Sequence, residues 1–250
     1  MAFIDHFSEK SDLYARARPT YPDELFAFIA SQCSARGSAW DCGTGSGQAA
    51  QGLARHFDCV EATDASAEQI ANAIPTPRVR YSVQPAEKTS FAANSFDVVC
   101  VAAALHWFDA DRFYPEARRV LKHGGVFAAW GYAKHHVSPE FDAAFAEHLL
   151  APIRPFWPPQ NAKLWAGYRD ETFPFAPIEA PAFAIEARWT LAQLVDYAGT
   201  WSGTRRYIAR AEPGFLERVA AVLAPAWGTN ETRVVTLPLA LRCGRHAESP

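Results

Sequence analysis

The chain has 250 residues, 49% apolar and 20% charged, with a formal net charge of -3 and a pI near 6.2. These values suit one large α/β domain with its own core and exclude a disordered chain. They also argue against a nucleic-acid partner, because phosphate binding rests on clustered Lys and Arg.

Five scattered cysteines (Cys33, Cys42, Cys59, Cys100, Cys243) form no Cys-x-x-Cys pair and read as reduced core residues. Asp5, His6, Ser8, Glu9 and Lys10 break any secretory-type stretch, and no window approaches ~18 apolar residues. A soluble cytoplasmic protein with no membrane partner, monomeric or homodimeric, is the expectation.

In chain order, Thr20 can cap a first helix, with Pro22 and Asp23 in its first turn and Leu25, Phe28 and Ile29 on one face. Ser38–Cys42 reads as a first strand running into the glycine turn Gly43-Thr44-Gly45-Ser46-Gly47, and a helix follows to about His56. Cys59–Thr63 makes a second strand ended by Asp64, and Ser66 can cap the helix carrying Ile70. Val79–Val83 is a third strand and Phe96–Ala102 a nearly continuous apolar fourth, as expected in a sheet covered on both faces. A helix carrying Phe113, Ala117, Val120 and Leu121, with Pro115 near its start, is predicted to stop at Gly124-Gly125, before a fifth strand over Val126–Trp130.

Residues 132–180 are rich in Pro, Phe and Trp without clean periodicity, and read as an insertion covering a pocket. Strand character returns at Ala182–Ala187 and Val234–Leu241, where Pro238 suggests a bulge or an edge, with helices over Leu191–Ala198 and Gly214–Leu223. The alternation predicts a Rossmann-like, doubly wound α/β domain with a mostly parallel seven-stranded sheet and an aromatic, Pro-rich cap. Within one domain spanning 1–250, the expected parts are an N-terminal lid (1–35), a cofactor-binding core (36–131), the cap insertion (132–180) and a C-terminal part on the substrate side (181–250).

Glycines between a strand and a helix let the backbone turn sharply, and the helix start favours an anionic group. Asp64 lies 21 positions after Gly43, at the end of the next strand, where an acid can accept both hydroxyls of an adenosine ribose. Gln48 stands where a dinucleotide fingerprint wants its third small residue, which weighs against a nicotinamide cofactor.

Asp41 to Gly47, Asp64, Pro85-Ala86-Glu87, Phe96 to Val99, His106-Trp107-Phe108-Asp109 and Val120 to Gly125 follow the order and spacing of class I S-adenosylmethionine-dependent methyltransferases. The chain resembles their methyltransferase type 11 group. Phe7-Ser8, Tyr14, Arg18-Pro19, Tyr21-Pro22, the His106-Trp107 pair and Trp201-Ser202-Gly203-Thr204 are similar to the trans-aconitate methyltransferase-like branch.

The resemblance implies S-adenosylmethionine as cofactor, with Gly43 and Gly45 beside its methionine portion, Asp41 on its amino group and Asp64 on its ribose. Ala86 and Glu87 would border the adenine, where Pro85 replaces an acid common in the family, and Thr44, Ala65, Gln69 and Ala103 would complete the site.

Methyl transfer from a sulfonium is an in-line displacement governed by positioning and desolvation. His106, following the fourth strand, is either a general base or a pocket-shaping imidazole. Trp107 and Trp201 could wall the pocket, with aromatic faces toward the sulfonium, and Tyr14, Arg18 and Tyr21 could close over the cofactor as a lid. Arg205 and Arg206 are candidates for gripping a substrate carboxylate. His135-His136 lacks the spacing of a metal site and reads as surface imidazoles, so no metal is expected.

The function implied is methyl transfer to a small acceptor, a carboxylic acid among the candidates. An NAD-linked oxidoreductase and a non-catalytic cofactor-binding protein are the competing classes.

Overall fold

A computed structural model describes residues 19–132, 134–169 and 172–247. Five parallel strands form its centre: β1 (Ser38–Cys42), β2 (Cys59–Asp64), β3 (Val79–Val83), β4 (Phe96–Ala102) and β5 (Leu121–Gly131). The two-residue β6 (Ala176–Pro177), β7 (Phe183–Trp189) and the long β8 (Arg233–Arg245) complete the sheet, in the order β3-β2-β1-β4-β5-β8-β6, with β7 pairing β8 outside that path. This is the doubly wound, mostly parallel frame expected, with β6 as a short additional strand.

The chain runs outward from β1 to β3 and then returns to place β4 on the other side of β1. That reversal opens a crevice beyond the carboxyl ends of β1 and β4, where open α/β sheets bind ligands.

Helices cover both faces. On one, α1 (Asp23–Ser31) buries Leu25, Phe26 and Ile29 against α2 (Gln48–Leu53) and the sheet. Pro22, not Thr20, occupies the position before its first residue, since proline's fixed φ suits a helix start. α3 (Ala67–Ala71) follows β2, and Ser66 caps it as the sequence predicts, accepting from the Gln69 amide. On the other face, α4 (Ala110–Val120) buries Phe113, Ala117 and Val120 and carries Pro115 inside it. It ends at Val120 rather than at the glycines: Leu121 already pairs with Phe96, and the register then shifts so that Val126 pairs with Val98. Gly124, at φ 74°, sits in that irregularity.

The aromatic stretch after β5 is helical where periodicity suggested a loop. α5 (Pro139–Phe145) runs into a π turn (Ala146–Leu150), a last α turn (Ala151–Ile153) and a 3₁₀ turn (Arg154–Phe156). Its buried positions, Phe141, Phe145, Leu149 and Ile153, recur at strict four-residue spacing. That period is longer than an α-helix supports on one face, and the wider π turn brings the stripe back into line. α6 (Asn161–Trp165) follows.

The stripe joins α7 (Leu191–Gly199), α9 (Phe215–Trp227) and β7–β8 in one cluster through Leu194, Tyr197, Phe215, Leu223 and Leu237; α8 (Ser202–Arg210) packs on α7 and on the turns that follow α5. Pro238 pairs opposite Ala184 in unbroken register. Thr236, two residues earlier, spends its amide on His136 rather than on β7, so by alternation the proline removes no β7–β8 bond.

Candidate active site

At the carboxyl end of β1, Asp41 is completely buried. Its Oδ2 accepts from Thr44 Oγ1 at 2.5 Å, while Oδ1 has no hydrogen-bond partner among the described residues. Burial pushes the carboxyl up to about 7, and the neighbouring charge of Asp64 acts in the same direction.

Gly43, Gly45 and Gly47 all have positive φ (71°, 55° and 93°), which only glycine adopts readily in such a turn. They are not equivalent. A Cβ on Gly43 would stand 2.7 Å from the Ala104 Cβ, and one on Gly47 would stand 2.3 Å from the Tyr81 hydroxyl. Those two glycines admit protein neighbours. Gly45 alone leaves its side open, with Gln69 Oε1 at 3.8 Å as its nearest neighbour.

Asp64 at the end of β2 closes the turn from below. Its Oδ2 accepts from the Gly45 amide and its Oδ1 from the Ser66 amide, both at 2.9 Å. Ala65 lies between, and Gln69 is buried one helical turn on. Ala86 is buried against the β1–β4 core, and Glu87 Oε1 accepts from the Asp109 amide at 3.1 Å, fixing the loop after β3 to the start of α4. The same loop is held again at Thr89, whose amide and hydroxyl donate to Glu116.

Beyond β4 the backbone turns at Ala103 with φ 52°, its amide bonded to the Trp130 carbonyl. A non-glycine residue in that region is strained by about 1 kcal/mol. The strain swings Leu105-His106-Trp107 into a 3₁₀ turn under the helical layer. His106 is buried, its Nδ1 lies 3.1 Å from the Tyr168 hydroxyl, and its ring lies 4.7 Å from that of Trp107. Tyr168 is fully buried at φ 57°, and its carbonyl accepts from Arg242 on β8.

Above this turn lies a cavity of about 360 Å³. Ala103, His106 and Trp107 form its floor; Tyr132, Tyr197, Trp157, Trp165 and Trp201 its aromatic walls; Lys134, Arg154 and Asn161 its polar points.

A model of a methyltransferase domain family matches residues 40–129. A protein named as a methyltransferase in Dictyostelium discoideum is 31% identical over 233 residues, covering 92% of this chain and 89% of its own. The chain belongs to the S-adenosylmethionine-dependent methyltransferases. A structure described as a type II methyltransferase from Anaeromyxobacter dehalogenans superposes with a TM-score of 0.86 at 43% identity, over 93% of this chain and 99% of that one. A methyltransferase of Aspergillus candidus is 31% identical over a shorter stretch, 53% of this chain and 45% of its own. The fold itself reaches further: a structure described as a cyclase superposes at TM-score 0.51 and 19% identity, over 97% of this chain and 94% of that one.

In this methyltransferase the residues singled out in the sequence fall into three groups. Asp41, Gly43, Thr44, Gly45, Asp64, Ala65 and Gln69 gather at the ends of β1 and β2, with Ala86 and Glu87 beside them. Ala103, His106, Trp107 and Trp201 meet at the cavity, while Tyr21 packs behind it on Trp130 and Tyr132. Arg205 and Arg206 on α8 are not among the cavity's lining residues, and Arg206 donates to the Phe156 carbonyl. Tyr14 and Arg18 lie outside the described residues.

His136 is exposed and bonds Asp142, but His135 packs its ring 4.2 Å from Phe145, and burial pulls it down to about 4. It is therefore an interior imidazole rather than a surface one. Among the described residues no group of side chains could hold a metal, and no helix is long and apolar enough to cross a membrane.

Tyr168, Asn161, Tyr197, Lys134 and Arg154 were not legible as site residues. The aromatic richness of 132–180 flagged the region of four of them, but no spacing within it singled them out, and Tyr197 lies beyond it, on α7.

Proposed function

We propose that this methyltransferase carries a methyl group to a small, largely aromatic acceptor seated in the cavity over Ala103, His106 and Trp107. The observation that carries this reading is a shared wall. Ala104 presses on Gly43 of the cofactor turn, while Ala103, one residue earlier, lines the cavity. Donor and acceptor sites therefore meet across one peptide.

The residues present fit S-adenosylmethionine, which supplies a methyl group on a sulfonium when bound. Asp41 would take the ammonium on Oδ1, the acceptor atom that has no protein partner among the described residues. Gly45 would lie against the methionine portion on its open side, and Asp64, anchored by two backbone amides, would hold the ribose. Ala86 would flank the adenine, while Glu87 positions the loop. The cap helices would exclude water from the transfer, keeping the acceptor desolvated and in line.

His106 would take the proton of a hydroxyl or amine acceptor, with Nδ1 donating to the Tyr168 oxygen so that Nε2 keeps its lone pair. Lys134 and Arg154 favour a second reading, a carboxylate acceptor that is O-methylated and needs no base.

Incubating the protein with methyl-labelled cofactor and a metabolite extract, then identifying labelled products by mass spectrometry, tests both. Alkali-stable ethers or amines support the first reading and alkali-labile esters the second. A protein that shows no thermal shift with S-adenosylhomocysteine would contradict either one.

A further inference from the structure

Asn161 opens α6, the short helix that hangs over the cavity, and is 5% exposed. Its backbone amide is bonded to the Pro158 carbonyl, so the residue is fixed in place. Its side chain is not satisfied: Oδ1 is buried with no hydrogen-bond partner among the described residues, and Asn161 lines the cavity together with Trp157, Trp165, Trp201 and Leu164.

A buried amide oxygen left unpaired is costly to the fold, and such groups are rare unless a ligand completes them. Aromatic walls select flat apolar rings, whereas a lone acceptor oxygen selects a donor on the ring. The cavity's two cations, Lys134 and Arg154, are both exposed and therefore belong to its rim rather than its depth.

Resting on the reading that this cavity is the acceptor site, we infer that Asn161 determines specificity by accepting a hydrogen bond from an N–H or O–H of an aromatic acceptor. The ring carrying that donor is uncharged where it is buried; any anionic substituent projects to the rim. An apolar ring without a donor leaves Oδ1 unpaired and binds less well.

Indole, 1-methylindole and benzofuran probe the point, because they share one bicycle and only indole carries an N–H. Their affinities are measured by isothermal titration calorimetry on the protein saturated with S-adenosylhomocysteine. Indole is expected to bind about five- to tenfold more tightly than benzofuran, the equivalent of one net hydrogen bond, and 1-methylindole to behave like benzofuran. Asn161→Leu should abolish the preference or invert it, with S-adenosylhomocysteine affinity unchanged.

Equal binding of the three rings by the wild type, no saturable binding of any, or a preference that survives in Asn161→Leu would overturn the inference. The wild-type comparison decides even if the variant does not fold. Failure of S-adenosylhomocysteine to bind at the outset would instead count against the cofactor reading, so the two failures are separable.

Discussion

The amide of Gly45 donates to Oδ2 of Asp64 at 2.9 Å, so the glycine turn after β1 and the acid after β2 are one hydrogen-bonded unit before any ligand arrives. The second oxygen of Asp64 holds the Ser66 amide, at the cap of α3. Removing the carboxylate therefore acts on structure, and under the proposed ribose role on ligand binding as well.

Asp64→Ala is expected to lower stability by about 2 kcal/mol, from two unpaired amides, and Tm by about 4–8 °C. S-adenosylhomocysteine affinity should fall at least tenfold by calorimetry. A drop in Tm with affinity intact would leave Asp64 a scaffold residue and dismiss its ribose role.

With the cofactor's ammonium on Asp41, as proposed, binding is expected to depend on pH. Its carboxyl is raised from 3.8 to about 7 by burial, and a bound ammonium favours the ionised form. Affinity for S-adenosylhomocysteine is then expected to fall about tenfold from pH 8 to pH 6, as the free protein takes up a proton that binding must expel. For stability the sign is opposite. A carboxyl whose folded pKa lies above its unfolded value contributes stability below the unfolded pKa, and that contribution is lost as pH rises through about 7. Asn at position 41 keeps the shape without the buried charge. Asp41→Asn should raise the Tm of the ligand-free protein at pH 8 by a few degrees, weaken cofactor binding and abolish its pH dependence.

Asp97, also buried, is expected to behave in the opposite way. It sits at the amino end of β4, away from the ligand crevice, where Oδ2 accepts from the Ser38 amide at 2.8 Å and Oδ1 from Lys122 at 2.7 Å. It ties the start of β1 to β4 and β5. Asp97→Ala leaves an amide and an ammonium without their partner and should cost about 2–4 kcal/mol, seen as a Tm lower by roughly 5–10 °C. Cofactor affinity, measured well below that Tm, should stay within twofold of the wild type.

Much of the frame is legible because its signals are local. β3 and β4 occupy the spans their apolar runs predict, and the glycine turn, Asp64 and Ser66 lie within one β-α-β unit, so sequence order already places them together. The cavity is not legible in that way. Its lining comes from four distant segments, at 103–107, 132–134, 146–165 and 197–202, and only the packing of α5 and the following turns onto α7 and α9 joins them. The stripe Phe141-Phe145-Leu149-Ile153 hid its helix because a four-residue period fits neither an ideal α-helix nor a strand. α8 escaped for a different reason: it opens on Ser202-Gly203-Thr204, and its apolar Tyr207-Ile208-Ala209 run is enclosed by Arg205, Arg206 and Arg210, so no apolar stripe shows. Trp201 to Arg206 therefore read as a motif rather than a helix start.

Tyr168 separates a base from a bystander at His106. Its ring is fully buried, its backbone is held at φ 57°, and its hydroxyl meets Nδ1 of His106 at 3.1 Å. If His106 takes a proton from the acceptor through Nε2, its Nδ1–H donates to the Tyr168 hydroxyl, and that bond sets the ring angle. Tyr168→Phe then removes one oxygen and should cost only about 1 kcal/mol of stability, with cofactor affinity unchanged. Once an acceptor has been identified from the labelled extract, kcat on it should fall about tenfold or more, with KM little altered and the acidic limb of the pH-rate profile displaced. His106→Gln should reduce kcat by about 10² or more, within the usual range for a positioned base. A Tyr168→Phe enzyme with the wild-type kcat and pH profile would reduce the pair to packing and return the acceptor's activation to desolvation and placement alone.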